Sequence, residues 1–342
     1  MEHDLFIPLF LASFLIIINI VLKKYNISLD KISIGEKHKS LLRSGNSTPL
    51  SGTYFFLPIV LFLFFQTDLI VVIFCSLFFL LGLLSDLKIT SSYKLRLLVQ
   101  FLFLSLLFFI SKEITISTRI TFIDNLMNYH LTRVLICTFF FMVMINGFNL
   151  IDGTNCLCPL NLLTITIFIF LLVRDLNINF INDELYILII SLAIFVLFNF
   201  FGKNFLGDGA AYGLSFLVGY ILVKIAITDN AISPYFVANL LWYPAFENLF
   251  SILRRNLSNK NNYLPDNYHL HQLIFKYLNV KKFTDKTFLL SSFVGIIINL
   301  VLLIIYYIGY IFYNHTVIQV ALILSGIFLY LITYYILRSK LK

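Results

Sequence analysis

Long apolar runs separated by short polar segments set the rhythm of the chain. Eleven runs fall at about 5–22, 50–66, 69–84, 95–111, 133–150, 159–173, 185–201, 210–227, 232–250, 287–312 and 316–336. A membrane-crossing helix takes about 20 apolar residues, with a range of roughly 17–25. Each run therefore predicts one crossing helix, and the short ones lower the count to about ten. A membrane β-barrel would show short alternating segments instead. No charge run, Pro-rich linker or internal repeat divides the sequence. The pattern predicts an all-α, polytopic integral membrane protein with about 10–11 transmembrane helices, built as a single domain over 1–342.

Composition supports this class. Of 342 residues, 60% are apolar and 12% charged, whereas soluble domains carry about 25% charged residues. That excludes a soluble enzyme, a disordered protein and a secreted disulfide scaffold. Cys75 and Cys137 sit in apolar runs, and Cys156 and Cys158 form a C-x-C without zinc-ligand spacing. The acidic start Met-Glu-His-Asp predicts a retained first span rather than a cleaved signal.

The net charge of +8 has a topological reading. Segments 23–49, 85–96, 151–158, 202–209, 251–286 and 337–342 hold 20 of the 25 basic residues. The segments that alternate with them hold Lys112, Arg119, Arg133 and Arg174, and Lys224 lies within a span. The positive-inside rule then predicts a periplasmic N-terminus and a cytoplasmic C-terminus in the inner membrane. No nucleic-acid partner is needed to explain the basic balance.

The scarce polar residues gather in those same segments. Segment 82–100 carries Asp86 among Lys88, Lys94 and Arg96. One carboxylate among three cations suits a phosphate site or a topology-setting loop. Segment 145–158 carries Asn146, Asn149 and Asp152, whose spacing of three puts them on one helix face. Asp208 lies between Gly207 and Gly209, just before the eighth run. A helix start there would favour an anion, and a carboxylate there would suit a hard cation that holds phosphates. The long segment 251–286 holds Arg254, Arg255, His269 and His271. H-x-H suits phosphate recognition or a metal pair. Together these residues predict a cytoplasm-facing, Mg²⁺-assisted enzyme acting on a phosphorylated, lipid-borne substrate.

From about Pro49 to Leu278 the chain resembles the polyprenyl-phosphate N-acetylhexosamine-1-phosphate transferase superfamily. The resemblance rests on Ser85-Asp86 at the end of the third run and on Lys94 to Gln100. It rests also on N-x-x-N-x-x-D-G (Asn146, Asn149, Asp152, Gly153), F-x-G-D-x-G (Phe205 to Gly209) and H-x-H-x (His269, His271, Gln272). Arg254-Arg255 and Pro265-Asp266 resemble the arm before the histidines. The chain departs from the pattern at Ser85, Asn155 and Gln272, where members carry Asp, often Asp, and His. The HLH-type segment is similar to the branch that starts sugar polymers.

The resemblance implies transfer of N-acetylhexosamine-1-phosphate from a UDP-sugar to undecaprenyl phosphate, releasing UMP and starting a cell-envelope glycan. It implies Mg²⁺ or Mn²⁺ on Asp208 and Asp152, and catalytic roles for Asp86 and Asp152. Lys94, Arg96, Asn146, Asn149, Asn199, Phe205, Arg254, Arg255, His269 and His271 would bind substrate, with Asn199 and Phe205 near the uridine. Expected partners are the UDP-N-acetylhexosamine, undecaprenyl phosphate and membrane lipid, with a homodimer among the assemblies allowed. Segments 23–49, 85–96, 151–158, 202–209 and 251–286 would form the active face. In one scheme Asp152 attacks first; in the favoured one the lipid phosphate attacks directly, with Asp86 orienting it through Lys94 or Arg96. The competing classes are a transporter or flippase for a phosphorylated solute, and a catalytically dead scaffold.

Overall fold

A computed structural model of the chain describes residues 2–30, 47–66, 68–90, 92–111, 117–178, 181–257 and 268–341, without the side chains of residues 2–5. Thirteen helices account for most of the described residues. They are α1 (Glu2–Tyr25), α2 (Gly52–Phe64), α3 (Leu69–Asp86), α4 (Tyr93–Ile110), α5 (Thr121–Met127), α6 (His130–Ile151) and α7 (Leu157–Asp175), then α8 (Asn182–Phe200), α9 (Gly207–Thr228), α10 (Pro234–Leu257), α11 (Leu270–Val280), α12 (Thr287–Ile311) and α13 (Thr316–Lys340).

All eleven apolar runs fall on helices, but among the described residues nine helices are long and apolar enough to cross a membrane. The expected count of ten to eleven is corrected in two places. Helix α2 has only 13 residues, or about 20 Å against a hydrocarbon core of roughly 30 Å. Helix α10 has the length but carries Asn239, Glu247, Asn248, Arg254 and Arg255. Helices α5 and α11 and a two-residue antiparallel pair, β1 (Leu29–Asp30) with β2 (Thr48–Pro49), lie in segments expected to be loops.

Side-chain caps fix several starts. Asp68 accepts the Val71 N–H at 3.1 Å before α3, and Ser92 accepts the Leu95 N–H at 3.3 Å before α4. The cation Lys224, met inside the ninth helix, reaches Asp68 at 2.6 Å at the far end of the bundle from the site described below.

Helix α9 is the central pillar, with most of its side chains buried. It crosses α3 closely enough that a Cβ on Gly82 would lie 2.4 Å from the Gly209 Cα. Such small-residue crossings suit lipid, where packing rather than water exclusion drives helix association. Polar ties reinforce it elsewhere: Asn299 donates to the carbonyls of Cys156 and Leu157 at 3.2 and 3.1 Å, and Asn239 to Gln319 at 2.9 Å.

Candidate active site

The C-terminal ends of α3 and α6 meet the N-terminal ends of α4 and α9. The first turn of a helix exposes backbone N–H groups without intrahelical partners. In α9 three of them are taken by carboxylates from two other helices. Gly207 N–H donates to Asp152 at 3.2 Å, Asp208 N–H to Asp86 at 2.9 Å and Gly209 N–H to the other oxygen of Asp86 at 3.2 Å. The expected anion site at this helix start is corrected accordingly: Asp86 and Asp152 occupy the amides a phosphate would use. Gly207 adopts φ +81, and a Cβ there would lie 2.7 Å from the Asp86 carboxylate.

The Asp208 side chain points back across this turn. One oxygen accepts from Ser85 at 2.7 Å and from Arg96 at 2.7 Å, and the other from Asn149 at 2.8 Å. Arg96 also donates to Ser85. Arg96 thus bonds Asp208 directly. Asp208 remains 32% exposed. Asp86, Asp152 and Asp208 thus gather around one first turn, with Arg96 on Asp208.

A second cluster comes from α10, α11 and α13. His269 precedes α11, and its backbone N–H donates to Gln272 at 3.2 Å, so the residue standing where the family has a third histidine caps the helix. His269 stands just before the helix and His271 within its first turn. The two rings stack in parallel, 5.7 Å apart at 7°. His269 Nδ1 bonds Glu247 at 3.0 Å. His271 is buried, and among the described residues neither ring nitrogen has a hydrogen-bond partner. Burial, helped by His269 and opposed by Glu247, lowers its pKa to about 3.

Gly153 joins the two clusters. A Cβ at this position would lie 2.5 Å from His271 Nε2. The bare glycine after Asp152 lets the ring lie against the aspartate's own turn. On the other side of α6, a Cβ on Gly147 would meet the Pro244 carbonyl at 2.2 Å, which holds α10 and its Glu247 close.

The remaining expected residues take other places. Asn146 does not join the carboxylates: it donates to Gln100 at 2.7 Å between α6 and α4. Asn199 accepts the Cys156 N–H at 2.6 Å and donates to the Asn204 carbonyl at 2.8 Å, so it braces two turns. Phe205 is fixed through its backbone, donating to Pro49 at 2.9 Å and accepting from Ser51 at 3.1 Å. Asn155 donates to Ser292 at 3.4 Å and ties the loop to α12. Lys94 is exposed at the start of α4. Arg254 donates to the Tyr268 carbonyl and to Tyr334, and Arg255 beside it is half-buried. Pro265 and Asp266 lie outside the described residues, as does most of 23–49. Among the described residues no three His, Cys, Asp or Glu side chains form a ready metal cage. The sequence reading missed Glu247, although an ionisable residue inside an apolar run is itself a functional signal.

Residues 69–226 match the model of the family described as glycosyl transferase family 4. That stretch runs from the start of α3 to the end of α9 and so holds Ser85, Asp86, Arg96, Asn149, Asp152 and Asp208. The chain is also similar to the undecaprenyl-phosphate alpha-N-acetylglucosaminyl 1-phosphate transferase of Thermotoga maritima, at 27% identity over 226 residues. The aligned part covers 66% of this chain and 67% of that protein. Both findings support the polyprenyl-phosphate N-acetylhexosamine-1-phosphate transferase superfamily that the motifs resemble. The chain is a multi-pass membrane relative of phospho-sugar transferases.

Proposed function

We propose that the protein transfers N-acetylhexosamine-1-phosphate from a UDP-sugar to undecaprenyl phosphate, at the cytoplasmic face of the inner membrane. The N-terminus is then periplasmic and the product starts a cell-envelope glycan. One observation carries this reading: carboxylates from three helices converge on the first turn of α9, with Arg96 on Asp208.

The reaction needs little covalent chemistry from the protein. A lipid phosphate monoester has a second pKa of about 6 and is mostly dianionic at neutral pH. Its oxygen attacks the sugar-bearing phosphorus, the bond to UMP breaks, and UMP leaves with the electron pair. Positioning and charge neutralisation dominate such transfers. Asp152 and Asp208 would hold Mg²⁺, which takes one or two carboxylates and completes its shell with water and phosphate oxygens. Both side chains are only partly buried, as that donor set requires. Bound there, the ion would neutralise charge developing on the leaving phosphate.

In this reading Arg96 balances Asp208 and turns toward phosphate when substrate arrives. Asp86 is a positioning residue, because both its oxygens hold α9 in place. His269 and His271 contact the sugar nucleotide's phosphates. The test is UMP release by purified protein given undecaprenyl phosphate, Mg²⁺ and a panel of UDP-N-acetylhexosamines. Solute movement into liposomes without UMP release would support the transporter reading instead.

A further inference from the structure

We infer that Glu247, with Tyr330 as its brace, is a positioning residue for His269; the inference rests on the transferase reading above. Glu247 is fully buried in α10. Both its oxygens are committed, one to His269 Nδ1 at 3.0 Å and the other to the Tyr330 hydroxyl at 2.7 Å. An ionised carboxylate only accepts, so the proton on Nδ1 is held toward Glu247. That fixes one tautomer and one ring orientation, and gives the ring's exchange with substrate to Nε2.

The brace is itself held. Tyr330 packs edge-on against Phe246 at 5.0 Å and Phe250 at 5.5 Å, both from α10. The carboxylate therefore sits between a rigid aromatic wall and the histidine. The His271 ring lies parallel to that of His269, 5.7 Å away.

Stability alone is a poor reason for this arrangement. A buried ion loses its hydration, and well-packed apolar residues of similar volume often serve a fold as well or better. An ionisable residue buried among apolar neighbours is expensive. Here its charge is spent on one of the two histidines of the H-x-H motif.

The test is a double-mutant cycle on UMP release, with Glu247→Gln and His269→Asn made singly and together. Positioning predicts that Glu247→Gln lowers kcat/KM by about tenfold or more. It predicts almost no further loss once His269 is Asn, because the two act as one unit. Tyr330→Phe should give a smaller fall, coupled to His269 in the same way. A ring ¹⁵N spectrum of histidine-labelled protein should show His269 as the Nδ1–H tautomer, a state that Glu247→Gln loosens. Independent, multiplying effects would overturn the inference, as would an unchanged tautomer in Glu247→Gln. If Glu247→Gln does not fold, the Tyr330→Phe cycle decides by the same criterion. If the wild-type protein releases no UMP, the transferase reading fails, and the ¹⁵N spectrum still decides whether Glu247 sets the ring.

Discussion

The carboxylate of Asp86 accepts the backbone N–H of Asp208 at 2.9 Å. Two aspartates of the same motif set thus do different work. Asp86 places the helix start; Asp208 presents its own carboxylate from it. Removing Asp86 should therefore act through stability. Asp86→Ala leaves two first-turn amides without partners, at a cost of about 1–3 kcal/mol. Thermal unfolding in detergent should show the drop, with activity falling alongside. Asp208→Asn should instead lose activity while its melting temperature stays nearer wild type. Equal melting losses would contradict this division of labour.

Gly207 should resist any side chain. Its φ of +81 disfavours L-residues, and a Cβ would meet the Asp86 carboxylate at 2.7 Å. Gly207→Ala should cost about 1–3 kcal/mol from the backbone conformation and displace Asp86. The melting temperature reports it, and an unshifted melt would mean that α9 can start elsewhere.

Gly153 should matter for activity more than for folding. Gly153→Ala puts a methyl 2.5 Å from His271 Nε2, and the ring must move. We expect kcat/KM to fall by about tenfold or more, as for other changes that misplace a substrate-contacting group. Near-normal turnover would mean that His271 need not touch the Asp152 turn.

Much of this was legible in the sequence because lipid imposes continuity. Every apolar run became a helix, and charge is so scarce that Asp86, Asp152 and Asp208 stood out. Their partners did not, since spacing along the chain cannot say that Asp86 reaches the amides of α9 or that Asn146 turns to Gln100. Helix α11 was hidden inside a polar segment. Glu247 was hidden for the opposite reason: one charge in a run read as 232–250 looked like part of a span. Cross-helix contact, rather than local pattern, decides each of these.

Ser85 offers a test of the site's electrostatics. Its hydroxyl lies 2.7 Å from the Asp208 carboxylate and also accepts from Arg96. Ser85→Asp adds negative charge beside Asp208 and competes for Arg96. The protein should tolerate it and reach half-maximal rate at a lower Mg²⁺ concentration. A Mg²⁺ titration of UMP release measures this, and an unchanged or raised requirement would separate the metal from Asp208.

The most direct test is UMP release by the purified protein with undecaprenyl phosphate and Mg²⁺ across a UDP-N-acetylhexosamine panel, beside Asp208→Asn. The account predicts UMP from at least one donor, dependent on both lipid and Mg²⁺, and its loss in the variant. No UMP from any donor, or near-normal release by Asp208→Asn, would contradict it.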